Sequence, residues 1–423
     1  MRFMAQSIPP GLPLRALYVD FNSYFASVEQ QLRPALRGRP VGILPVLAET
    51  TCCIAASYEA KAFGVKTGTP VYEARRRCPG IVLLEARPPL YVEMHHRLVA
   101  TVESCTPVGQ VLSIDEMSCP LMGSERQRDK ALALAARIKA TIATRVGQHL
   151  RCSIGIAPNT FLAKIASNMQ KPDGCTVLEA ADLPQALHRL ELRDIHGVGR
   201  AMESRLWRHG IQTVEQLCAA NAAQLRAAWG SIEGERMHAK LRGEEIAPTD
   251  SERASVSHSH VLPPELRYES SAYSVLHRLL QKAATRLRSY ALVAGNVHVR
   301  VSFRQQGESW QSWDWRVDQP VDPTADTRTL LHALDVLWRQ RPRTRAEPFA
   351  VGVALTRLAS AAQRSGDLFD DQESAERLNT TLDAIARRYG RKSVYFGGAH
   401  EALAAAPLRI AFQHIPDLEV EGD

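Results

Sequence analysis

Two adjacent carboxylates, Asp115 and Glu116, sit in the run VLSIDEMSC at 111–119. Val111, Leu112 and Ile114 lead into them, and Met117, Cys119 and Leu121 resume the apolar pattern beyond. The pattern predicts two strands meeting at an acidic turn. Neighbouring carboxylates on so apolar a background repel unless a cation sits between them, because burying unpaired charge costs several kcal/mol or more. A divalent metal is the simplest such cation. Taken alone, the pair also reads as two solvent-facing turn residues, of the kind strand ends favour. A third acid bears on the choice. Residues 14–20, LRALYVD, form a short apolar strand ending on Asp20, and Phe21 and Asn22 lead into SYFASVEQQL, whose Tyr24, Phe25, Val28 and Leu32 recur at helical spacing. If the two strands pair in one sheet, Asp20, Asp115 and Glu116 converge on one edge. That makes an oxygen-ligand site for two Mg²⁺ ions, with substrate phosphates supplying the remaining ligands.

Positively charged groups lie at spacings that could serve such a substrate. In SYEAKAFGVKTGTP, Tyr58 and Lys61 are three residues apart, hence on one helical face, with Gly64 and Gly68 breaking the chain beyond them. A hydroxyl and an ammonium presented together suit triphosphate oxygens; the same spacing also describes an amphipathic helix with a solvated lysine. The run Arg75, Arg76, Arg77 reads as a solvated face. Asn159 opens a further helix, in which Phe161, Leu162, Ile165 and Met169 face a core and Lys164 reads as a solvated charge. Lys171, in KPDG just past that helix, is the better placed to reach a phosphate.

The elements that must position these groups belong to a large soluble chain. At 423 residues it holds two to four domains. Its charged fraction of 23% and apolar fraction of 45% are those of an ordered globular protein. Lys and Arg number 52 against 45 Asp and Glu, a net +7 that suits a polyanionic partner as well as many solitary enzymes. All eight cysteines fall between residues 52 and 218 without CxxC spacing, which reads as reduced thiols of a cytoplasmic protein rather than a disulfide frame or zinc site. No apolar run reaches membrane-spanning length and the N-terminus lacks a secretory core. Residues 127–147 predict a helix with a stripe through Leu132, Ala135, Ile138, Ile142 and Val146, followed by the strand RCSIGIA. Strands, helices and acidic turn then alternate as an antiparallel sheet backed by helices.

Four motifs in this order, YVDFNSYFASVEQ, SYEAKAFGVKTGTP, VLSIDEMSC and CSIGIAPNTFLAKIASNMQKPDG, resemble the Y-family translesion DNA polymerases of the DinB/UmuC-like group, and the resemblance extends over residues 14–360. It implies an α+β, multidomain right-hand polymerase. The palm, ferredoxin-like, takes 1–22 and 88–177, small fingers 23–87, and a helix-hairpin-helix thumb 178–245. A linker at 246–265 leads to an α/β little finger at 266–358 and a C-terminal tail at 359–423. It implies that Asp20, Asp115, Glu116 and the backbone carbonyl of Phe21 ligate two Mg²⁺ ions, and that a primer 3′-hydroxyl attacks the α-phosphate of a deoxynucleoside triphosphate in line. Phe25 falls at the steric-gate position, where a ring fills the space a ribose 2′-hydroxyl needs, and Tyr24 beside it shares the nucleotide site, one ring packing inward and the other facing the sugar. Tyr58, Lys61 and Lys171 fall where the triphosphate is gripped. Three positions depart from the family. Lys61 stands where DinB-like members usually carry Arg and UmuC-like members often carry Lys, so a point charge replaces the DinB-like planar fork; Ala55 stands where many carry Thr; Asn22 replaces a second acid that some relatives carry and that is not an essential ligand.

The rest of the chain supplies the nucleic-acid contacts this reading needs. The HGVG turn in 192–217 predicts a helix-hairpin-helix whose backbone N–H groups, around Gly197 and Gly199, hold a DNA phosphate without reading sequence. Residues 243–265 turn polar and aperiodic, as a linker does, and His258 and His260 within them alternate like strand neighbours. Helix, strand, strand, helix and strand follow, with Arg286, Arg300 and Arg304 expected on phosphates and Trp310, Trp313 and Trp315 as packing groups. In the tail, a helix and a short strand follow Leu368 and Phe369, which resemble the anchors of a peptide that docks on a sliding clamp. The expected partners are primer-template DNA, deoxynucleoside triphosphates and the clamp, with the protein a monomer. Rival readings are a silent polymerase relative acting as a DNA- and clamp-binding adaptor, against which all three acids stand, and a nucleotidyl cyclase, which needs neither the hairpin nor the basic last domain.

Overall fold

The computed structural model describes residues 13–49, 51–247, 253–305, 311–363, 372–407 and 415–421. The chain forms two compact units, one built on Met1–Pro248 and the other on Thr249–Ile410. The first begins with β1 (Ala16–Phe21), α1 (Tyr24–Leu32), β2 (Val41–Leu44), β3 (Ala55–Ala56), α2 (Tyr58–Ala62), α3 (Val71–Arg77), β4 (Val82–Glu85) and α4 (Pro88–Glu103). It continues through β5 (Gln110–Val111), β6 (Glu116–Pro120), α5 (Arg128–Arg145), β7 (Cys152–Ala157), α6 (Thr160–Met169) and β8 (Cys175–Val177). A helical region closes it, with α7 (Arg200–Arg208), α8 (Val214–Ala219), α9 (Ala222–Trp229) and α10 (Glu233–Leu241).

β1 is buried at every position because it is the central strand of a sheet ordered β5-β6-β1-β7-β8. Burial on both faces is why the sequence there is a continuous apolar run rather than an alternation. Ala16 and Tyr18 share a core with Leu162, Ala163 and Ala166 of α6, so Asp20, two residues further on, points to the same α6 side. The N-terminus of α6 is fixed by Asn159, whose side chain accepts from the Leu162 N–H and donates to the carbonyls of Lys240 and Glu244. On α5 the buried stripe is Ala131, Leu134, Ala135, Ile138 and Ile142. The expected Leu132 and Val146 are only half-buried; small Ala131 takes the close-packed place instead. A second sheet, β3-β2-β4, carries its own core of Leu44, Cys53, Ala56, Ala60, Val65, Val71 and Ala74.

The second unit runs β9 (Ser255–Val261), α11 (Glu269–Ser289), β10 (Leu292–Gln305), β11 (Gln311–Thr324), α12 (Thr327–Arg339), β12 (Glu347–Ser360), α13 (Gln372–Tyr389) and α14 (Leu418–Glu421). Its sheet is antiparallel in the order β11-β10-β12-β9. Alternate residues Val297, Val299, Val301 and Phe303 pack on α11 and α12 through Leu276, Leu280, Leu330 and Leu334. Part of the stretch read as a linker is strand: β9 pairs with β12 from Val256 opposite Leu355 to His260 opposite Val351. The tail is likewise built into this unit. The Arg288 guanidinium on α11 donates to both carboxylate oxygens of Asp383 on α13, at 2.7 and 2.8 Å. Ala402, Ala405 and Ala406 join the core. Where a short strand was expected after α13 there is a 3₁₀ turn, Gly397–Ala402. Trp315 packs against the core and Trp313 stacks on Phe303 at 4.6 Å; Trp310, Leu368 and Phe369 lie outside the described residues. The eight thiols are free, and among the described residues no helix is long and apolar enough to cross a membrane.

Candidate active site

Strand register creates the acid cluster. In the β1–β6 ladder Asp20 stands directly opposite Glu116, so two carboxylates leave neighbouring positions on the face that carries α6. Like charges so placed repel. Asp115 ends the turn before β6, and its carbonyl accepts from the Phe21 N–H at 2.9 Å. Within a strand a residue's N–H and C=O project to one side, so the Phe21 carbonyl opens toward the same turn. The turn is held from beneath by His95 of α4, whose Nδ1 donates to the Ile114 carbonyl at 2.8 Å. The Ser113 hydroxyl donates to the Asp115 carboxylate at 2.6 Å. The three acids expected to converge are therefore together.

Two ammonium groups answer them. Lys171 Nζ, expected on a phosphate, lies 2.6 Å from Asp20 Oδ2. Lys164 Nζ lies 2.9 Å from Glu116 Oε2 and 5.6 Å from the Tyr18 ring centre, so it is no solvated helix charge. What brings Lys164 so near is Gly155 of β7, opposite Tyr18 in the ladder. A Cβ on Gly155 would lie 1.9 Å from the Ala163 carbonyl oxygen and 2.4 Å from the Ser167 nitrogen, so only glycine lets α6 sit this low. Asn22 ties down the Lys171 turn: its Oδ1 accepts from the Asp173 N–H at 2.8 Å and its Nδ2 donates to Ser153 Oγ at 3.0 Å.

The electrostatics follow from burial and crowding. Burial raises the Asp20 carboxyl to about 6, with Glu116 and Asp115 pushing the same way and Lys171 pulling against them. Asp115 is raised as well, first by burial, with Ser113 opposing and Glu116 adding. For Glu116 burial also works upward, but the Lys164 ammonium outweighs it and leaves the group below its ordinary value. Burial thus outweighs the Lys171 ammonium at Asp20 and the Ser113 hydroxyl at Asp115. Among the described residues no three His, Cys, Asp or Glu side chains close on one point, and Asp20 and Glu116 are each paired with a lysine. The donor set of three carboxylates and a strand-end carbonyl nevertheless matches the oxygen ligands that hard divalent cations take.

On α2, the Lys61 ammonium lies 4.3 Å from the Tyr58 ring centre. Burial lowers the Lys61 pKa, as does Lys171, while Asp20 opposes; burial and Asp20 push the Tyr58 phenol up to about 12. The expected triphosphate group therefore stands in the field of the acids. Tyr24 packs inward, its hydroxyl donating to the Tyr91 carbonyl at 2.6 Å. Phe25 stacks on the Tyr91 ring at 4.6 Å and 18°.

Of the expected nucleic-acid contacts, Gly197 has φ +89° and needs glycine, whereas Gly199 caps α7 at φ −90°, open to other residues. Arg300 and Arg304 leave β10 on the face away from the helices. Arg300 and its cross-strand neighbour Arg316, which the sequence did not single out, share Asp314 at 3.0 and 2.7 Å. They border a groove of about 300 Å³ with Ser257, Ser259, His298 and Gly352. Arg304 pairs with Glu347 at 3.3 Å. Arg286 is not on that face: it belongs to the helical layer, its Nε donating to the Tyr290 hydroxyl at 3.1 Å.

Comparison with known proteins gives the family and the fold. The profile of the impB/mucB/samB family matches residues 19–168, its C-terminal domain 253–368, and a DNA polymerase-iota thumb domain 193–245. A DNA polymerase IV of Moorella thermoacetica is 35% identical over 388 residues, covering 90% of this chain and 94% of that one. DNA polymerase IV 1 of Bacillus subtilis is 30% identical over 398 residues, covering 92% and 94%. Among solved structures, a Y-family DNA polymerase chimera built on Dbh superposes with a TM-score of 0.65 at 22% identity, covering 82% of this chain and 99% of that one, and shares the fold. The chain belongs to the impB/mucB/samB family and is a DinB-type member of the Y-family DNA polymerases.

Proposed function

We propose that Asp20, Asp115 and Glu116 form the phosphoryl-transfer centre with which this chain extends a primer 3′-hydroxyl by deoxynucleotides. As a family member the chain is a DNA-directed DNA polymerase of the translesion class. The observation that carries the site assignment is the direct opposition of Asp20 and Glu116 across β1 and β6, each met by a lysine. Such crowding is unfavourable in a sheet built for stability alone and suits a place where cationic charge is to be held. Two Mg²⁺ ions held by the three acids and the Phe21 carbonyl would neutralise the triphosphate and favour the primer alkoxide. The chain's own groups do the positioning. Lys164 keeps Glu116 ionised, and Asn22 and Ser113 fix the Lys171 turn and the Asp115 carboxylate. Tyr58, Lys61 and Lys171 offer charge-assisted donors to phosphate oxygens, and Phe25 fills the space beside the sugar.

Duplex contacts come from the Gly197–Gly199 turn at the N-terminus of α7 and from Arg300, Arg304 and Arg316 on the open sheet face, all of a kind that holds phosphates without reading bases. The same reading extends to docking of Leu368 and Phe369 on a sliding clamp, and to a monomer working in the cytoplasm. The adaptor reading is not favoured, since all three acids are present and lie together, Asp20 buried and Asp115 and Glu116 half-buried. In a primer-extension assay with Mg²⁺, Asp115→Ala abolishes synthesis and leaves DNA binding intact. Robust synthesis by that variant would refute the assignment.

A further inference from the structure

Glu29 is a fully buried carboxylate one helical turn beyond Phe25 on α1, and no catalytic step uses it. Its oxygens accept two bonds from Arg87, from Nε at 2.9 Å and Nη2 at 2.6 Å, and one from the Tyr91 hydroxyl at 2.9 Å. Arg87 caps α4 and Tyr91 lies one turn into it. A forked pair of this kind fixes geometry more tightly than a point charge does. Tyr91 is held at both ends, because its carbonyl accepts from the Tyr24 hydroxyl. The Phe25 ring lies nearly parallel on the ring so fixed, 4.6 Å away. The plane of Phe25 is therefore set by a chain of contacts that begins at an ion pair on the far side of Tyr91.

We infer that Glu29 and Arg87 are positioning residues for sugar selection: acting through Tyr91, they hold the Phe25 ring where it excludes a 2′-hydroxyl. This deepens, and rests on, the reading of Phe25 as the group beside the sugar. Loosening the clamp lets the ring tilt and admits ribonucleotides, while the acid cluster is untouched. Arg33, 3.6 Å from Glu29 and more exposed, leaves the carboxylate with a partner when Arg87 is replaced, so the variants remain foldable.

The test compares kcat/KM for deoxy- and ribonucleoside triphosphates on a primed template in Arg87→Met, Arg87→Lys, Tyr91→Phe and Phe25→Val, with melting temperatures measured alongside. The expected result is a fall in sugar discrimination of about ten-fold in Arg87→Met and Tyr91→Phe, the scale of one lost hydrogen bond. Deoxynucleotide kcat stays within about two-fold of the parent, and Arg87→Lys recovers part of the loss. In a Phe25→Val background Arg87→Met adds nothing. Unchanged discrimination in Arg87→Met and Tyr91→Phe while Phe25→Val lowers it overturns the inference, as does a further fall in the double variant. If Phe25→Val itself leaves discrimination unchanged, the reading of Phe25 fails and takes this one with it.

Discussion

Gly155→Ala is the substitution through which the coupling between fold and chemistry can be measured. The added Cβ meets the Ala163 carbonyl oxygen at 1.9 Å, whereas ordinary contact begins near 3.4 Å. Both nearest atoms are backbone, so no side chain can swing aside and α6 itself must withdraw by about 1.5 Å if it moves as a rigid rod. Lys164 rides on α6, 2.9 Å from Glu116. The same withdrawal stretches that pair beyond hydrogen-bonding reach, although the lysine stem can follow part of the way. Glu116 then faces Asp20 with less counter-charge and rises toward protonation. Overpacking of this kind costs about 1–3 kcal/mol, and displacement of a positioned group by about 1 Å can cost about 10²-fold in rate. The expected outcome is a melting temperature lower by several degrees together with a kcat for single-nucleotide insertion reduced by about 10²-fold. A variant that melts earlier yet inserts at the parental rate would show that the height of α6 does not govern the acids.

Three further outcomes follow from the same geometry. His95→Ala strands the buried Ile114 carbonyl, at a cost of about 1–3 kcal/mol, and lowers both melting temperature and insertion rate; a rate equal to the parent's would mean the acidic turn holds its shape without the imidazole. Asp20 and Asp115 have folded-state pKa values above the ordinary range, so the metal-free protein binds extra protons when folded and loses stability as pH rises from the usual Asp range to about 6. Divalent ions must displace those protons; the thermal stabilisation given by Mn²⁺ or Mg²⁺ is thus smaller a unit below pH 6 than a unit above it, and equal stabilisation on both sides contradicts the assignment. Arg300→Ala and Arg316→Ala each reduce the slope of log K for DNA against log salt by about one, and an unaltered slope would remove the open sheet face from the interface.

What could be read from the sequence was what is local. Asp20 at a strand end, the Asp115–Glu116 turn, the Tyr58–Lys61 face and Lys171 after a helix are patterns of a few residues; the three acids and Lys171 lie together, and Asp20 and Lys171 act on the Tyr58–Lys61 face through their charges. Lys164 was misread because a lysine on an amphipathic helix looks alike whether it meets water or a carboxylate. Its partner is decided by strand register and by the closeness Gly155 permits, neither of which a linear pattern carries. β9 was missed for a related reason: its Ser and His alternation offers little apolar signal, and its strand character comes from pairing with β12. The tail read as an appendage because the Asp383–Arg288 bonds join residues 95 positions apart. Arg286 was expected among phosphates on the strength of a basic helix face, but only the strand arginines share the open side of the sheet.

The opposition of carboxylates across β1 and β6 has a further consequence for heat resistance. Because Asp20 and Asp115 are held above their ordinary pKa values while Glu116 is held below its own, the three acids differ in what they do to the folded state at neutral pH. Asp20→Asn and Asp115→Asn should yield proteins that melt later than the parent, whereas Glu116→Gln should melt earlier. A lineage selected for thermal endurance alone would discard the two aspartates and keep the glutamate. Their joint presence makes this sheet edge a place where the fold gives up durability at neutral pH.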